Sequence, residues 1–354
     1  MKIFFTSLFQ TSILTLFCYF IYIFPIQILL KWGFNKTVHF QNLILSTLLI
    51  SACISYYFRT KTKSKLLKLI THLGIGSLYL IALITLIILI INQFYPLINS
   101  INILLVTLLS SLLICFSKFK GKNLTIKTLS LKSNKVTTLH SFIFISDVHI
   151  GSQSSYYLQK IVNKINSINP EIVLIGGDLI DSSAIKISDL DPLKNINVPI
   201  YFITGNHEYY LKNYQKTLSN LNKVGIKWLN NSSITHKELT IIGINDNQSI
   251  KQKNKLITKK IKSNTYNIAL VHKPSCFDTL QKKPDLMLSG HTHNGQTFPF
   301  NFFVKLVFPK SYGLYKQGQK NLYVSSGAGT WGPQMRLGSV NEIVYIQLMP
   351  PKKN

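Results

Sequence analysis

Four apolar stretches in the first third of the chain constrain its fold more than any other feature. They cover residues 3 to 30, 38 to 58, 69 to 91 and 97 to 116 of a 354-residue chain. Each reaches about 20 residues, the length that an α-helix needs to cross a bilayer core. A water-soluble bundle would need polar faces at helical spacing, and LYLIALITLIILII in the third stretch has none. The sequence therefore predicts four transmembrane helices.

Basic residues between these stretches predict their orientation. The segment after the second stretch carries Arg59, Lys61, Lys63, Lys65 and Lys68, and the segment after the fourth carries Lys118, Lys120, Lys122 and Lys127. NQFYP, after the third, carries no charge, whereas Lys31 and Lys36, after the first, give a weaker opposite signal. Because basic loops stay in the cytoplasm, we expect a multi-pass inner (cytoplasmic) membrane protein whose chain beyond residue 117 lies on the cytoplasmic face.

The charge of the chain is uneven. All twelve acidic residues lie at or beyond Asp147, and the net charge of +27 comes from 37 Lys and two Arg. Such an excess could attract nucleic acid or anionic lipid, or it could reflect a genome biased toward Lys, Asn and Ile codons. The lysines are scattered and form no readable motif, which argues against nucleic acid as a partner. The four cysteines form no CxxC pair or even spacing, so neither disulfides nor a thiolate metal site is indicated.

The pattern changes after about residue 117, which divides the chain into a membrane anchor, 1–117, and a second domain, 118–354. Short apolar runs such as HSFIFIS and PEIVLIGGD predict buried strands. SSYYLQKIVNKINSI and SIKQKNKLITKKI have helical spacing, and Gly225 is a plausible C-cap of a further helix. Strands alternating with helices predict an α/β sandwich with its sheets at the centre.

Five of the apolar runs end in polar clusters made almost entirely of Asp, His and Asn. The clusters contain Asp147 and His149, then Asp178, then Asn206, His207 and Glu208, then His272, and finally His291 and His293. Ligands gather outside the carboxyl ends of strands in α/β folds. Oxygen and imidazole donors without thiolate suit Mn²⁺, Fe or Zn²⁺ and argue against a closed structural zinc site.

The ordered blocks DxH, GD, GNHE, H and GHTH resemble those of the calcineurin-like metallophosphoesterases over about residues 123 to 350. GHTHNGQ, GLYKQG and VSSGAGTWGPQMRLG are most similar to the bacterial membrane-attached phosphohydrolase branch. The resemblance implies a four-layer αββα fold and two divalent metal ions (Mn²⁺, Fe²⁺/Fe³⁺ or Zn²⁺). Two positions depart from the usual pattern: Glu208 replaces a common Asp, and Asn294 replaces a common Gly. Neither change removes a ligand, and Asn tolerates a left-handed backbone.

The resemblance also implies a role for each matched residue. Asp147, His149 and His293 would bind one metal, Asn206, His272 and His291 the other, and Asp178 both. His207 would be catalytic, contacting the phosphate and acting on the leaving-group side, and the bridging Asp178 is the second catalytic candidate. Asp181 and Glu208 are interpreted as supporting or solvated residues, not as ligands.

Two features outside these blocks are further candidates. Arg336 is one of only two arginines, and a chain that otherwise uses Lys keeps Arg where planar, forked donation matters. It is predicted to bind the substrate phosphate or to close the domain. The segment FPFNFFVKLVFP, residues 298 to 309, is either an ordinary core strand or an apolar lip that enters the bilayer beside the site.

The leading hypothesis is a membrane-tethered, two-metal phosphoesterase that hydrolyses a phosphomonoester, phosphodiester or pyrophosphate with a metal-activated water. Its candidate substrates are a phospholipid, an isoprenoid phosphate or a nucleotide-activated lipid, presented at the bilayer. A nuclease or cyclic-nucleotide phosphodiesterase is the alternative within enzymes, and its activity should fall steeply with salt. A non-catalytic membrane scaffold that retains metal for stability is the alternative outside them. The sequence does not define an oligomeric state.

The orientation can be tested with reporter fusions. Fusions at residue 95 should report the outside and fusions at residues 64 and 354 the cytoplasm, because the basic segment at 59 to 68 contrasts with the uncharged NQFYP. A C-terminal domain that added protease cleaves on intact cells would contradict this orientation and place the substrate outside.

Overall fold

The computed structural model describes residues 11–60 and 64–351. Three groups of residues discussed above lie outside the described ranges. They are the first residues of the first apolar stretch, Lys61 and Lys63 of the basic segment, and residue 354. The chain forms two compact units, Met1–Lys118 and Phe119–Asn354.

Within residues 11–60 and 64–122, four helices are long and apolar enough to cross a membrane. They are α1 (Thr11–Phe34), α2 (Phe40–Thr60), α3 (Leu66–Phe94) and α4 (Asn99–Lys122). Trp32, Ile84 and Val106 pack together between them. Outward-facing Leu104 and Leu112 are 62% and 59% exposed, a surface that suits lipid better than water.

Residues 119–351 of the second unit, which the structure describes, form twelve strands in two six-stranded sheets. The strands are β1 (Leu124–Lys132), β2 (His140–Ile145), β3 (Ile172–Ile175), β4 (Ile200–Phe202), β5 (Ile226–Trp228), β6 (Ser233–His236), β7 (Leu239–Ile244), β8 (Tyr266–Val271), β9 (Leu286–Ser289), β10 (Gly313–Gln317), β11 (Lys320–Val324) and β12 (Asn341–Met349). The strand orders are β1-β12-β2-β3-β4-β5 and β10-β11-β9-β8-β7-β6.

The described residues of the second unit also form five helices. They are α5 (Ser155–Ile168), α6 (Asn206–Tyr209), α7 (Tyr214–Ser219), α8 (Ile250–Lys260) and α9 (Phe300–Val307), with short 3₁₀ turns between some of them. The helix predicted before Gly225 is α7 followed by a 3₁₀ turn, and Gly225 ends it with φ 79° as expected of a C-cap.

Three apolar clusters show that the unit has four layers. Phe142 and Phe144 of the first sheet pack against Ile268 and Leu288 of the second. The opposite face of the first sheet packs on α5, and the opposite face of the second packs on α8 and a neighbouring turn. Each central strand is therefore buried on both faces, which is why its sequence is a continuous apolar run. The predicted αββα sandwich is confirmed.

The topology brings several strand ends together. β2 to β4 are parallel neighbours in one sheet, and β7 to β9 are parallel neighbours in the other. Parallel strands place their carboxyl ends at one edge of a sheet, and the loops that follow them carry the polar clusters.

The segment 298 to 309 is not the core strand that one interpretation of its sequence predicted. Residues Phe300–Val307 form α9, a helix with exposed apolar side chains. Apolar runs of this length are compatible with strand or helix, and periodicity alone does not separate the two.

Candidate metal centre

Asp147, His149 and His293 come together from two loops, the one after β2 and the one after β9. The Nε2 atoms of His149 and His293 are 3.0 Å apart, and His293 Nε2 lies 3.6 Å from Asp147 Oδ1. One ligand atom from each of the three residues lies within 4.8 Å of the others, the spacing of a group that could hold a metal ion.

Asp178, His272 and His291 form a second group beside the first. His272 Nε2 lies 3.2 Å from Asp178 Oδ2, and the same oxygen lies 4.0 Å from His149 Nε2 of the first group. The Asp178 carboxylate therefore approaches imidazoles of both groups, and Asp147 Oδ1 likewise lies 4.0 Å from His272 Nε2 of the second group.

Buried atoms without hydrogen-bond partners show that these residues suit a cation. Among the described residues, none hydrogen-bonds Asn206 Oδ1 or His272 Nε2, although both atoms are buried. His272 Nδ1 lies 2.8 Å from the carbonyl of Gly176, which turns Nε2 toward the Asp178 carboxylate. Because buried polar atoms are almost always satisfied, an oxygen and a nitrogen left open beside two carboxylates fit a metal ion.

Electrostatics keep three of the imidazoles neutral. Burial lowers the pKa of His149 and His293 well below the usual value for histidine, and it lowers the pKa of His291 to about 3. Burial raises the pKa of Asp147 to about 6. Neutral imidazoles offer the lone pairs that metal coordination requires.

The backbone at the ligands is unusual. Asp147, His149, Asp178, His291 and His293 all have φ between 49° and 74°, a region that non-glycine residues seldom adopt. Such conformations persist only where the surroundings over-determine them, and they cluster at functional sites.

The turn after β9 tolerates Asn at position 294, where the usual residue is Gly. Asn294 has φ 48° and ψ 36°, the left-handed conformation that Asn adopts more readily than most residues. The turn that aims His291 and His293 into the site therefore survives this change.

Glu208 supports Asp178 from beneath. Its buried carboxylate accepts hydrogen bonds from the backbone N–H groups of Asp178, Ile180 and Gly205 at 3.0, 3.0 and 2.7 Å. Burial and the neighbouring Asp178 charge raise the pKa of Glu208 to about 8. The sequence analysis interpreted Glu208 as a supporting or solvated residue. In the structure, Glu208 is fully buried. An acid three residues after a helix N-cap was the signal that could have located it.

Asp181 holds the loop that carries His149. Its carboxylate accepts hydrogen bonds from the backbone N–H and the hydroxyl of Ser152 at 3.0 and 2.6 Å, and it lies 3.6 Å from His149 Nδ1. Asp181, His149 and His207 also form a third group of close ligand atoms.

His207 lies at the rim of the site. Its backbone N–H donates to Asp178 Oδ1 at 2.8 Å, and its Nε2 lies 4.0 Å from Asp178 Oδ2. Its ring packs edge-on against His149, and Tyr210 and Trp331 lie at its outer side with ring centroids 5.3 and 6.4 Å away. The side chain is 17% exposed, so it can meet a molecule that enters from solvent.

Arg336 is not placed to bind a substrate, in contrast to the role predicted from its rarity. It is fully buried. Its five N–H groups donate to Asn341 Oδ1 (2.8 Å), the His293 carbonyl (2.8 Å), Ser339 Oγ (3.1 Å), the Ser326 carbonyl (2.7 Å) and the Gly329 carbonyl (2.6 Å). All its donors are used within the protein, so none remains for a phosphate. The forked geometry that marks Arg serves instead to fix the His293 backbone.

Comparison with known proteins finds one family. The model of the calcineurin-like phosphoesterases matches residues 140–295, which include all the candidate ligands and His207 but not Arg336. An "Uncharacterized metallophosphoesterase" of Helicobacter pylori strain J99 is 35% identical over 237 residues, 64% of each chain. One of Aquifex aeolicus is 30% identical over 216 residues, which cover 57% of this chain and 82% of that protein.

The name of a relative in zebrafish describes it as a transmembrane protein. The "Transmembrane protein with metallophosphoesterase domain" of Danio rerio is 34% identical over 228 residues, which cover 58% of this chain. The match spans 64% of the length of the Helicobacter relative and 52% of the zebrafish one.

We expect Arg336→Lys to lower both the stability of the second unit and its affinity for metal. A Lys ammonium has three N–H donors on one atom, so at least two acceptors lose their partner, at about 1–3 kcal/mol for each buried group left unsatisfied. Urea unfolding and Mn²⁺ content of the purified chain measure the two effects. Lys316→Ala, at the exposed end of β10, is the control. A folded Arg336→Lys protein with unchanged Mn²⁺ affinity would show that Arg336 does not position His293.

Proposed function

Because the chain belongs to the calcineurin-like phosphoesterase family, we propose that it is a membrane-tethered phosphoesterase that depends on two divalent metal ions. One observation carries the proposal: the Asp178 carboxylate lies between two groups of residues that could each hold a metal ion, and the buried Asn206 oxygen has no hydrogen-bond partner among the described residues. A hydrolase that activates water with two cations needs this kind of shared carboxylate.

We propose a ligand for each position of the pair. Asp147, His149 and His293 would hold one ion, Asn206, His272 and His291 would hold the other, and Asp178 would be shared by both. The neutral Asn206 keeps the ligand charge low, which leaves the ions more electrophilic. Mn²⁺, Fe and Zn²⁺ all accept this donor set of oxygen and imidazole.

The chain's own residues supply positioning and proton transfer. Bound divalent ions would polarise the phosphoryl group and bring the pKa of a bound water toward neutrality. His207, at the exposed rim and 4.0 Å from Asp178 Oδ2, contacts the substrate phosphate and donates a proton to the leaving oxygen. Glu208 holds the backbone of Asp178 through its N–H, and Arg336 holds His293 through its carbonyl.

The substrate class follows from where the domain is tethered. Asn123 is the one residue between α4, the last candidate span, and β1 of the second unit. A tether this short keeps the domain beside the bilayer, where phosphoesters of lipids and lipid precursors are concentrated. We therefore propose a lipid-linked phosphoester as substrate, hydrolysed on the cytoplasmic face of the inner membrane.

Asp178→Asn tests the shared carboxylate. The change keeps the size of the side chain but removes the charge that holds two cations together, so turnover of bis-p-nitrophenyl phosphate with Mn²⁺ should fall by roughly 100-fold or more. Asp191→Asn, at an exposed surface ion pair with Lys194, is the matched control. Full activity of the Asp178→Asn protein would remove Asp178 from the site and with it the two-metal mechanism.

His207→Asn separates proton transfer from metal binding. The variant should keep the Mn²⁺ content of the unchanged protein and lose about 10²–10⁴-fold in rate, the usual contribution of a general acid. His236→Asn changes a histidine on β6, outside the site, and should leave both quantities unaltered. Loss of metal from the His207→Asn protein would make His207 a ligand.

A further inference from the structure

Helix α9 exposes an apolar surface that a water-facing helix does not need. Phe302, Phe303, Leu306 and Val307 are 56%, 61%, 81% and 71% exposed. None of the eight residues of α9, all of which the structure describes, is buried. Contiguous apolar surface of this kind marks a face that meets another apolar phase.

The helix is fixed to the loop that carries His291 and His293. The N–H of Phe300 donates to the Thr297 carbonyl at 2.9 Å, and the N–H of Phe298 donates to the Leu337 carbonyl at 2.7 Å. A Cβ at Gly295 would collide with the backbone of Asn301, so this turn packs directly against the start of α9. The exposed face therefore has a set position relative to the candidate ligands.

The exposed face lies next to the site and not at a remote part of the surface. The ring of Phe308, the residue after α9, packs edge-on against the His291 ring with centroids 5.3 Å apart. Trp331 and Tyr210, beside His207, are 36% and 49% exposed. Trp and Tyr are the side chains that favour the boundary between lipid and water.

The charge around α9 suits an anionic membrane surface. Residues 286 to 341 contain no Asp or Glu, and they contain the exposed Lys305 of α9 and Lys316 of β10; Lys310 and Lys320 are paired with Asp278 and Asp285. Lys305 is exposed on the helix itself. Basic residues beside an exposed apolar helical face are the pattern of helices that lie in the interface of a bilayer.

We propose that α9 lies in the membrane monolayer, with Phe302, Phe303, Leu306 and Val307 among the acyl chains and Lys305 at the headgroups. This sets the mouth of the metal centre at the depth of the lipid phosphates, so that a headgroup reaches His207 without leaving the bilayer. The location of α9 does not depend on the proposed function. Only the delivery of a lipid phosphate rests on the proposed function.

The location can be measured with the full-length chain in vesicles of phosphatidylethanolamine and phosphatidylglycerol. Cys53 and Cys115 are exposed, whereas Cys18 and Cys276 are buried, so a Cys53→Ser, Cys115→Ser background leaves Leu306→Cys as the site for an NBD probe. A doxyl-labelled lipid should quench NBD at position 306 strongly. The same probe at Tyr156→Cys, a side chain 72% exposed on α5, is the control and should be quenched little.

Two results would overturn the location. Equal, weak quenching at positions 306 and 156 would show that α9 stays in water. Energy transfer between labelled protomers at position 306, without quenching by lipid, would assign the exposed face to a second copy of the chain.

A kinetic comparison then tests the delivery of substrate. Phe302→Gln with Phe303→Gln keeps helix-forming residues at exposed positions, and far-UV circular dichroism verifies the fold. The rate on phosphatidic acid in the vesicles should fall at least roughly tenfold, because the local concentration of lipid at the site falls. The rate on soluble bis-p-nitrophenyl phosphate should not change. Leu139→Gln with Tyr156→Gln removes comparable exposed apolar groups elsewhere and should change neither rate.

The quenching and kinetic measurements together distinguish a failure of lipid delivery from a failure of the proposed function. Quenching at position 306 with no loss on phosphatidic acid would keep α9 in the monolayer and overturn delivery of a lipid phosphate. Quenching without turnover of any phosphoester would keep α9 in the monolayer and overturn the proposed function instead.

Discussion

The Asp178 carboxylate is the group around which the rest of the site is arranged. Its Oδ2 lies 3.2 Å from His272 Nε2 and 4.0 Å from His149 Nε2, and its Oδ1 accepts the His207 N–H. A buried carboxylate in such a place is costly unless it is paired, and the buried Asp147 carboxylate, 4.0 Å from the same His272 Nε2, adds a second acid. Two acids enclosed this closely are favourable for cations, and the imidazoles of both groups lie around them.

The position of this carboxylate follows from the topology of the two sheets. β3 ends immediately before Gly176, Gly177 and Asp178, and β2, β4, β8 and β9 end at the loops that supply the other candidate ligands. A Cβ at Gly205 or Gly290 would meet the Asp178 or Asp147 carboxylate, so the backbone itself forms part of the wall of the site. The buried strands thus act as a rigid frame, and the strained residues at their ends carry the chemistry.

The parts that the sequence predicted are those with a strong local signal. Continuous apolar runs ending in Asp, His or Asn identified the central strands and the edge at which their ends meet, and helical apolar stretches identified the four candidate spans. Short strands such as β5, β6 and β10 carry few residues and little periodicity, so no pattern revealed them. The apolar run at α9 was compatible with both strand and helix, and only its surroundings decide between them.

The role of Arg336 shows a second limit of sequence reasoning. Its rarity correctly marked a place where five forked donors matter, but the residue type does not say whether the acceptors belong to a substrate or to the protein. Three of the five acceptors are backbone carbonyls, and a carbonyl is present whatever the side chain. Glu208 is similar, because all three of its partners are backbone N–H groups. The residue type can therefore mark such a position, but only the fold identifies the backbone groups that it contacts.

The order of the elements along the chain has a consequence for biosynthesis. The four apolar helices end at Lys122, whereas α9 begins at Phe300, so the ribosome releases all four long before the exposed phenylalanines emerge. Domains fold as units while synthesis proceeds, and exposed apolar surface on the way is a route to aggregation. If the four helices are already inserted in the bilayer when α9 is synthesised, the apolar face of α9 can enter lipid at once. If the chain reached the bilayer only later, that face would remain exposed to water and could promote aggregation in the meantime.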